Sequence, residues 1–153
     1  MPLFVAKISI HRIGLTKPKE AVWQNIVSLG GENGWLGTDH LWKLRGAFDR
    51  LLGGDGFNKG RPRGRPIKEG DRLDFWLVSD IDPANFRLTL KAQMRLPGFA
   101  YLDWYFEEDE RGDYLVQRSR FYPLSWWGKF YWYSVLPAHR WVFGYMAKRL
   151  AKS

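Results

Sequence analysis

The chain has 153 residues, of which 45% are hydrophobic and 17% aromatic, so its composition argues against disorder and predicts one domain spanning residues 1–153. The formal charge of +8 favours an anionic partner, such as nucleic acid, phospholipid head groups or an acidic protein. Cysteine is absent, which excludes disulfides, and the N-terminal apolar run is too short for a secretory signal. We therefore expect a cytoplasmic protein, either free or peripheral to a membrane.

The N-terminal part combines one strand pattern with two helix patterns. Alternating apolar and polar residues at 4–13 predict a half-buried strand whose apolar side consists of Ala6, Ile8 and Ile10. A helix follows, beginning at residue 16 or 17 and ended by a pair of glycines. Residues 41–52 carry apolar side chains on one face and predict a second short helix.

Four strand-like segments follow a basic loop. They lie at residues 72–79, 86–96, 100–106 and 114–122. The second is the clearest, because its apolar and polar residues alternate without a break. Turn-forming residues separate the segments, so we predict an antiparallel meander that buries one face and exposes the other.

A long helix is predicted from residue 124 to residue 152. Apolar residues recur there at i, i+3, i+4 and i+7 spacing along one face, which consists of Trp132, Val135, Leu136, His139, Val142, Phe143, Met146 and Leu150. A second, adjacent stripe consists of Tyr131, Ser134, Ala138, Trp141 and Tyr145. Because a helix that is apolar around most of its circumference has to be covered, we expect the meander to wrap around it. Pro137 predicts a kink or a local opening of this helix.

The fold class is therefore α+β, with one strand, two short helices, an antiparallel meander and one long C-terminal helix. This order resembles the helix-grip fold of the START-like superfamily, also called SRPBCC or polyketide cyclase, in which a curved sheet wraps around the last helix. The chain also resembles a bacterial family of uncharacterised domains within that superfamily. The segments that carry this resemblance are EAVWQNIVSLGGENGW, LWKLRGAFDRLLGG, GDRLDFWLV, KAQMRLPGFAYLDW, LVQRSRFYP and YWYSVLPAHRWVFGYM.

The resemblance implies that a hydrophobic small molecule or lipid is bound between the sheet and the long helix. Some members of the superfamily are enzymes, but the resembled family supplies no catalytic motif. Domains of that family are often fused behind short-chain-dehydrogenase or epimerase-like domains. This chain contains no strand followed by G-x-G-x-x-G, so the resemblance implies a dehydrogenase- or epimerase-like partner that is a separate protein.

Two polar residues of the last predicted strand have the parity of its apolar residues. Gln117 and Ser119 are separated from Leu115 and Phe121 by even numbers of residues, so all four point to the same side of the strand. A buried amide without partners costs about 1–3 kcal/mol, so a ligand in a cavity would be one explanation for this pair. The alternatives are that the two bond each other, water or nearby backbone, or that the other face of the strand packs inward.

Other candidate ligand contacts are aromatic. Trp76, Trp104 and Tyr131 would line a cavity between sheet and helix, although plain core packing explains each of them equally well. His139 is the titratable residue on the main stripe of the long helix, where it would serve as a ligand contact or, less often, as an acid or base.

Catalytic and metal-binding patterns are otherwise missing. His11, His40 and His139 lie far apart in the sequence without metal-ligand spacing, and neither G-x-S-x-G nor a P-loop is present. We therefore predict no metal and no cofactor and favour a protein that is not an enzyme. A cyclase or dehydratase remains an alternative, because such a site needs only a shaped cavity and one acid or base.

The basic loop contains P-R-G-R-P at residues 62–66, which resembles the core of an AT-hook. Arg61, Arg63 and Arg65 are therefore candidates for contact with nucleic acid or with phospholipid head groups. Trp126 and Trp127, close to Lys129, have the composition of a membrane-interface segment or of a cap over the sheet.

Three functions remain, in this order. The first is non-enzymatic binding of a hydrophobic small molecule or lipid. The second is an accessory module with a filled core, which acts on a dehydrogenase-like partner or on an anionic membrane surface. The third is DNA binding through the basic loop, and we rank nucleic acid below the other partners.

Overall fold

The computed structural model describes residues 6–30, 44–45, 47, 50–51, 53, 60–62, 64–74, 76–93 and 96–152. The elements in chain order are β1 (Lys7–Gly14), α1 (Lys19–Val27), β2 (Arg72–Leu73), β3 (Trp76–Asp82), a 3-10 turn (Pro83–Asn85), β4 (Arg87–Ala92), β5 (Gly98–Asp109), β6 (Gly112–Pro123) and α2 (Trp126–Lys152). The strands form one antiparallel sheet in the order β1-β6-β5-β4-β3-β2. A curved six-stranded sheet with a long C-terminal helix confirms the predicted START-like helix-grip fold.

The core lies between the inner face of the sheet and one side of α2. Strand β6 pairs with both β1 and β5, and α2 packs mainly against β6 and β1. The sheet contributes Leu102 and Leu115, each at most 1% exposed, and α2 contributes Met146 and Leu150, each 0% exposed. Because strand side chains alternate between faces, these contacts also fix which residues of β5 and β6 point outward.

A buried charge cluster holds the outer face of the three central strands. Asp103 is 3% exposed and accepts hydrogen bonds from Arg118 Nε at 2.8 Å, Arg120 Nε at 2.7 Å and Thr89 Oγ1 at 2.8 Å. Burial opposes ionisation of this carboxyl, but the hydrogen bonds from the two arginines and Thr89 outweigh it, so the pKa of Asp103 lies below its ordinary value. The cluster therefore ties β4, β5 and β6 together through an ionised, fully partnered carboxylate.

The segment predicted as one strand at residues 72–79 is instead a tight hairpin. Leu73 pairs with Trp76, so the chain reverses direction between these two residues. Asp74 adopts a left-handed φ of 59° and its Oδ1 accepts a hydrogen bond of 2.6 Å from the backbone N–H of Gly60. The turn contains neither glycine nor proline, which is why the sequence pattern did not indicate it.

The inner face of β1 is the opposite of the predicted one. Ile8 and Ile10 are 54% and 56% exposed, while His11 faces α2. The reason is the register with β6, in which His11 pairs with Gln117, a residue on the inner face. Residues that pair across an antiparallel ladder project to the same side, so the polar residues of β1 point inward.

Only one side of α2 is covered, so the expectation that the sheet would enclose most of its circumference is wrong. Four members of the predicted second stripe, Ser134, Ala138, Trp141 and Tyr145, are exposed, and Trp141 is 67% exposed. Of the predicted second short helix, the described residues 44, 45, 47, 50 and 51 are helical, and the remainder lies outside the described residues.

The first prediction concerns Gly128, which is buried in the first turns of α2. A Cβ at this position would collide with the carbonyl oxygen of Pro97 and lie 2.7 Å from Cβ of Pro123. In an exposed helix, replacing glycine by alanine stabilises by about 1 kcal/mol, whereas overpacking costs about 1–3 kcal/mol. We expect Gly128→Ala to lower the free energy of unfolding, measured by urea denaturation.

The matched control is Gly14→Ala, because a Cβ there meets its nearest atom, Cε1 of Tyr114, at 3.8 Å. This variant should unfold within about 0.5 kcal/mol of the wild type. A Gly128→Ala protein as stable as the control would show that α2 is not closely packed against Pro97 and Pro123.

Candidate functional site

A cavity of about 290 Å³ lies between α2 and the inner face of strands β3 to β6. The inner face of the strands contributes a mostly apolar wall: Trp76, Ala92, Ala100, Leu102, Ser119 and Phe121. Tyr101 and Arg120 also border the cavity, although their side chains belong to the outer face. The helix contributes the facing wall: Tyr131, Trp132, Val135, Ala138, His139, Val142 and Phe143. Arg45 and Leu96 complete the lining. Alanines at three facing positions leave the space that larger residues would fill.

The structure brings four of the six predicted ligand-contact residues to this cavity. Trp76 comes from β3, Ser119 from β6, and Tyr131 and His139 from α2. They are far apart in the sequence, and the packing of α2 across the sheet places them around one volume. Contact of these residues with a ligand stays a prediction.

Trp104 and Gln117, the other two predicted contacts, do not line the cavity. Both are 0% exposed, and Nε1 of Trp104 donates a hydrogen bond of 2.8 Å to Oε1 of Gln117. The amide nitrogen of Gln117 donates a hydrogen bond of 2.9 Å to the carbonyl oxygen of Phe143 in α2. The buried amide therefore links β5, β6 and α2. Its bond to Phe143 is the backbone alternative that the sequence left open, whereas its bond to the indole of Trp104 was not among the alternatives.

The imidazole of His139 lies on the cavity wall among aromatic rings. Its centroid is 4.2 Å from that of Phe143 and 5.1 Å from that of Trp132. Burial, followed by the charges of His11 and Arg140, lowers the pKa of His139 from 6.5 to about 4. The ring is therefore neutral at neutral pH, and its buried Nδ1 has no hydrogen-bond partner among the described residues.

Ser119 supplies a second polar atom to the cavity wall. The residue is 4% exposed, and its hydroxyl oxygen has no hydrogen-bond partner in the part of the chain that the structure describes. Buried polar side-chain atoms without partners are uncommon in native proteins. Two of them belong to Ser119 and His139, residues that line the cavity from its opposite walls.

Two residues near this site were not predicted. His11 projects from β1 onto α2, where a Cβ on Gly144 would lie 3.2 Å from its Cε1. Burial, followed by the charges of Arg140 and Lys148, lowers the pKa of His11 below its ordinary value. The available signal was Gly144, a small residue at a helix position that faces a ring. Arg45 lines the cavity from the second short helix, for which the sequence predicted only an apolar face.

The arginines of the basic loop bind other parts of the protein. Arg61 donates hydrogen bonds of 2.7 and 2.9 Å to the carbonyl oxygens of Leu29 and Val27 beyond and at the end of α1. Arg65 makes two bonds of 2.8 Å to the carboxylate of Asp71, which holds the pKa of Asp71 to about 2. Arg63 lies outside the described residues. Contact of this loop with nucleic acid or head groups stays a prediction.

Two searches of the described residues give negative results. Within residues 6–152, apart from the undescribed positions, no three His, Asp or Glu side chains are grouped so that they could hold a metal ion. No helix in the described part of the chain combines the length and the hydropathy that crossing a membrane requires.

The second prediction concerns the buried amide. Gln117→Leu leaves the indole N–H of Trp104 without its acceptor in a fully buried position, which costs about 1–3 kcal/mol. We expect this loss in the free energy of unfolding by urea denaturation. Ser119→Ala on the same strand is the control, and it should stay within about 0.5 kcal/mol of the wild type because its hydroxyl has no partner to lose. Equal stability of both variants would contradict a linking role for the amide.

The third prediction concerns acid stability. Because the pKa of His139 is lowered in the folded protein, protons bind the unfolded chain more tightly, and stability falls as the pH drops from 6.5 to about 4. At pH 5 this loss amounts to about 2 kcal/mol relative to neutral pH. Urea denaturation at pH 7 and pH 5 should show it in the wild type and a smaller loss in His139→Gln. Identical losses would exclude His139 as the titrating group.

Similarity to solved structures agrees with this architecture. The chain is similar to the ginseng major latex-like protein 151 from Panax ginseng, with a TM-score of 0.57 and 9% identity over 95% of each chain. Weaker likenesses are to CalU16 from Micromonospora echinospora (TM-score 0.49, 12% identity, 93% of this chain and 71% of that chain) and to Ara h 8.0201 (TM-score 0.48, 10% identity, 95% and 98%). At such identities the first likeness shows the fold alone.

Comparison with families of sequences is more direct. No curated protein matches the chain. The family model described as Protein of unknown function (DUF2867) matches residues 8–146, a range that extends from β1 into α2 and includes every residue that lines the cavity. The chain therefore belongs to this family, and its structure has the START-like helix-grip fold.

Proposed function

We propose that the protein binds a small hydrophobic molecule in the cavity between the sheet and α2. The observation that carries this proposal is a cavity of about 290 Å³ with a mostly apolar wall that includes Ser119 and His139, whose Oγ and Nδ1 have no hydrogen-bond partner among the described residues. Small-molecule sites combine these features, namely an apolar enclosure and a few polar groups that fix orientation. An accessory module with a filled core would not leave such a volume.

The two polar atoms restrict the chemistry of the ligand. The Ser119 hydroxyl both donates and accepts, and the neutral imidazole of His139 presents Nδ1 either as a donor or as an acceptor. Because neither group is charged at neutral pH, these two favour a hydroxyl or carbonyl group on an otherwise apolar molecule, and the guanidinium of Arg45 on the lining adds a preference for an acidic group. The volume lies at the lower end of the roughly 300–1,000 Å³ of small-molecule pockets. A compact molecule or one short acyl chain therefore fits better than a two-chain phospholipid.

The same geometry favours binding over acid–base catalysis. A general base works best when its pKa lies near the working pH, and a pKa of about 4 makes His139 a weak base. Residue roles in a cyclase or dehydratase reaction would need a stronger acid or base on the cavity wall. A dehydrogenase- or epimerase-like partner stays a prediction from the family resemblance.

The fourth prediction tests the cavity by filling it. Ala138 is exposed on α2 and lines the cavity, so Ala138→Trp should occupy the entrance without disturbing the core. Native mass spectrometry with a series of straight-chain alcohols of increasing length should show one bound molecule per wild-type chain. We expect affinity to rise with chain length by about 0.8 kcal/mol per buried methylene until the cavity is full, and then to stop rising. Ala138→Trp should bind at least about tenfold more weakly.

The control is Ser134→Trp, which adds the same exposed ring one turn earlier on α2, at a position outside the cavity lining. It should bind the alcohols like the wild type. Equal binding by all three proteins would place the alcohols on the surface and remove the proposal. An absence of binding by the wild type at every chain length would remove it too.

A further inference from the structure

The outer side of α2 carries a row of exposed aromatic residues that the core does not use. We call this row the outer aromatic stripe, and it consists of Trp126, Trp127, Phe130, Tyr133, Trp141 and Tyr145. Their exposure ranges from 38% to 75%. Most of them are separated by three, four or eight residues, which places them along one side of a helix with about 3.6 residues per turn. The residues of α2 that line the cavity project to the other side.

Cations accompany the stripe along its length. Nζ of Lys129 lies 4.6 Å from the ring centroid of Trp126. Nζ of Lys7 donates a hydrogen bond of 3.2 Å to the hydroxyl oxygen of Tyr133. Nη1 of Arg149 donates one of 3.0 Å to the hydroxyl oxygen of Tyr145. Each end of the stripe and its middle therefore combine an aromatic ring with a positive charge.

The charged residues of α2 are all basic. The helix contains five of the 24 Lys and Arg residues and none of the 16 Asp and Glu residues. It therefore contributes +5, whereas the preceding Arg118 and Arg120 of β6 pair with Asp103 on the outer face of the sheet. A surface with this composition attracts anions over the full length of the helix.

We propose that the outer aromatic stripe docks the protein on the surface of an anionic phospholipid bilayer. Trp and Tyr rings prefer the depth of the head groups, where the ring is buried and its N–H or O–H stays hydrated. Lys and Arg beside the rings then lie at the level of the phosphates, where an anionic surface attracts them. The stripe extends over about 30 Å along one side of the helix, a length over which a bilayer surface provides continuous contact.

Two other occupants fit the stripe less well. In a symmetric pair of this chain, α2 of one copy would face α2 of the other, and each brings five basic residues and no acidic one. In protein–protein interfaces lysine is depleted, yet lysines accompany both Trp126 and Tyr133. A bilayer accepts lysine, because the side chain extends to the phosphates while its methylenes stay in the apolar layer.

The inference does not rest on the proposed ligand. The stripe shares no residue with the cavity lining, so a docked protein keeps its cavity lining unchanged. Loss of alcohol binding in Ala138→Trp and loss of vesicle binding in a stripe variant are therefore separate results, and each proposal survives the failure of the other.

Vesicle sedimentation tests the docking. The wild type is mixed at low salt with vesicles of phosphatidylcholine alone and with vesicles that also contain phosphatidylserine. A triple variant, Trp126→Ser with Trp127→Ser and Phe130→Ser, removes three rings of the stripe. The control is Ile8→Ser with Ile10→Ser, which removes residues 54% and 56% exposed on the outer face of the sheet.

We expect the wild type to sediment with the phosphatidylserine vesicles, to bind phosphatidylcholine vesicles more weakly, and to be released by high salt. The partition coefficient of the triple variant should fall about tenfold or more, and that of the control should change less than about twofold. Lys129→Glu with Arg149→Glu should lose the preference for phosphatidylserine. This charge variant keeps the test decisive if the triple variant has a lower melting temperature than the wild type.

Four results would overturn the proposal. The wild type does not bind either kind of vesicle at low salt. The triple variant is folded and binds as well as the wild type. The Ile8 and Ile10 control loses as much binding as the triple variant. Native mass spectrometry shows a dimer without lipid that the triple variant dissociates, in which case a second copy covers the stripe.

Discussion

The side-chain amide of Gln117 is the constraint on which the arrangement of this fold depends. Its oxygen accepts from the indole of Trp104 on β5, its nitrogen donates to the carbonyl oxygen of Phe143 on α2, and the residue itself belongs to β6. Hydrophobic packing alone is non-directional and would let a helix slide or rotate over the sheet. A fully buried amide with both groups bonded has one acceptable geometry, so it fixes the rotation and the height of α2 above the strands.

The second fixed point of α2 lies at its other end, where Gly128 lets the helix touch the prolines at 97 and 123. Between the two points, the helix passes over strand positions occupied by alanines and Ser119. The two contacts set the distance between α2 and the sheet. The side chains between them are too small to fill the space that this distance leaves. The cavity is the consequence of this mismatch, and its polar atoms are those that happen to lie between the two contacts.

The sequence predicted the parts of this arrangement that depend on periodicity. The parity of Leu115, Gln117, Ser119 and Phe121 on the inner face follows from alternation and is found in the structure. Whether an inward polar residue lines the cavity or bonds to other protein groups depends on its position along the strand. Ser119 therefore lines the cavity and Gln117 does not, although both point inward. The face of β1 could not be predicted from its own pattern, because its register with β6 outweighs the burial of two isoleucines. The approach of His11 to α2 follows from that register and was missed with it.

The volume of the cavity was also beyond sequence reasoning. It is the difference between the space that the backbone encloses and the summed volumes of the side chains, and neither quantity has a periodic signal. The aromatic content pointed to large flat side chains but not to their positions, and most of the rings of α2 lie outside the core. The exposed side of the helix therefore had the same apolar signature as a buried one.

Pro137 lies in α2 between the two fixed points, opposite the cavity wall. A proline has no N–H, so the carbonyl of the residue four positions earlier has no intrahelical donor, and bending at this place breaks one hydrogen bond fewer than elsewhere. The helix is therefore held at Gly128 and at Phe143, and it bends most easily at Pro137 between these two contacts. Bending of α2 at Pro137 changes the width of the gap between the helix and the sheet, so we expect the flexibility of this one helix to control access to the cavity.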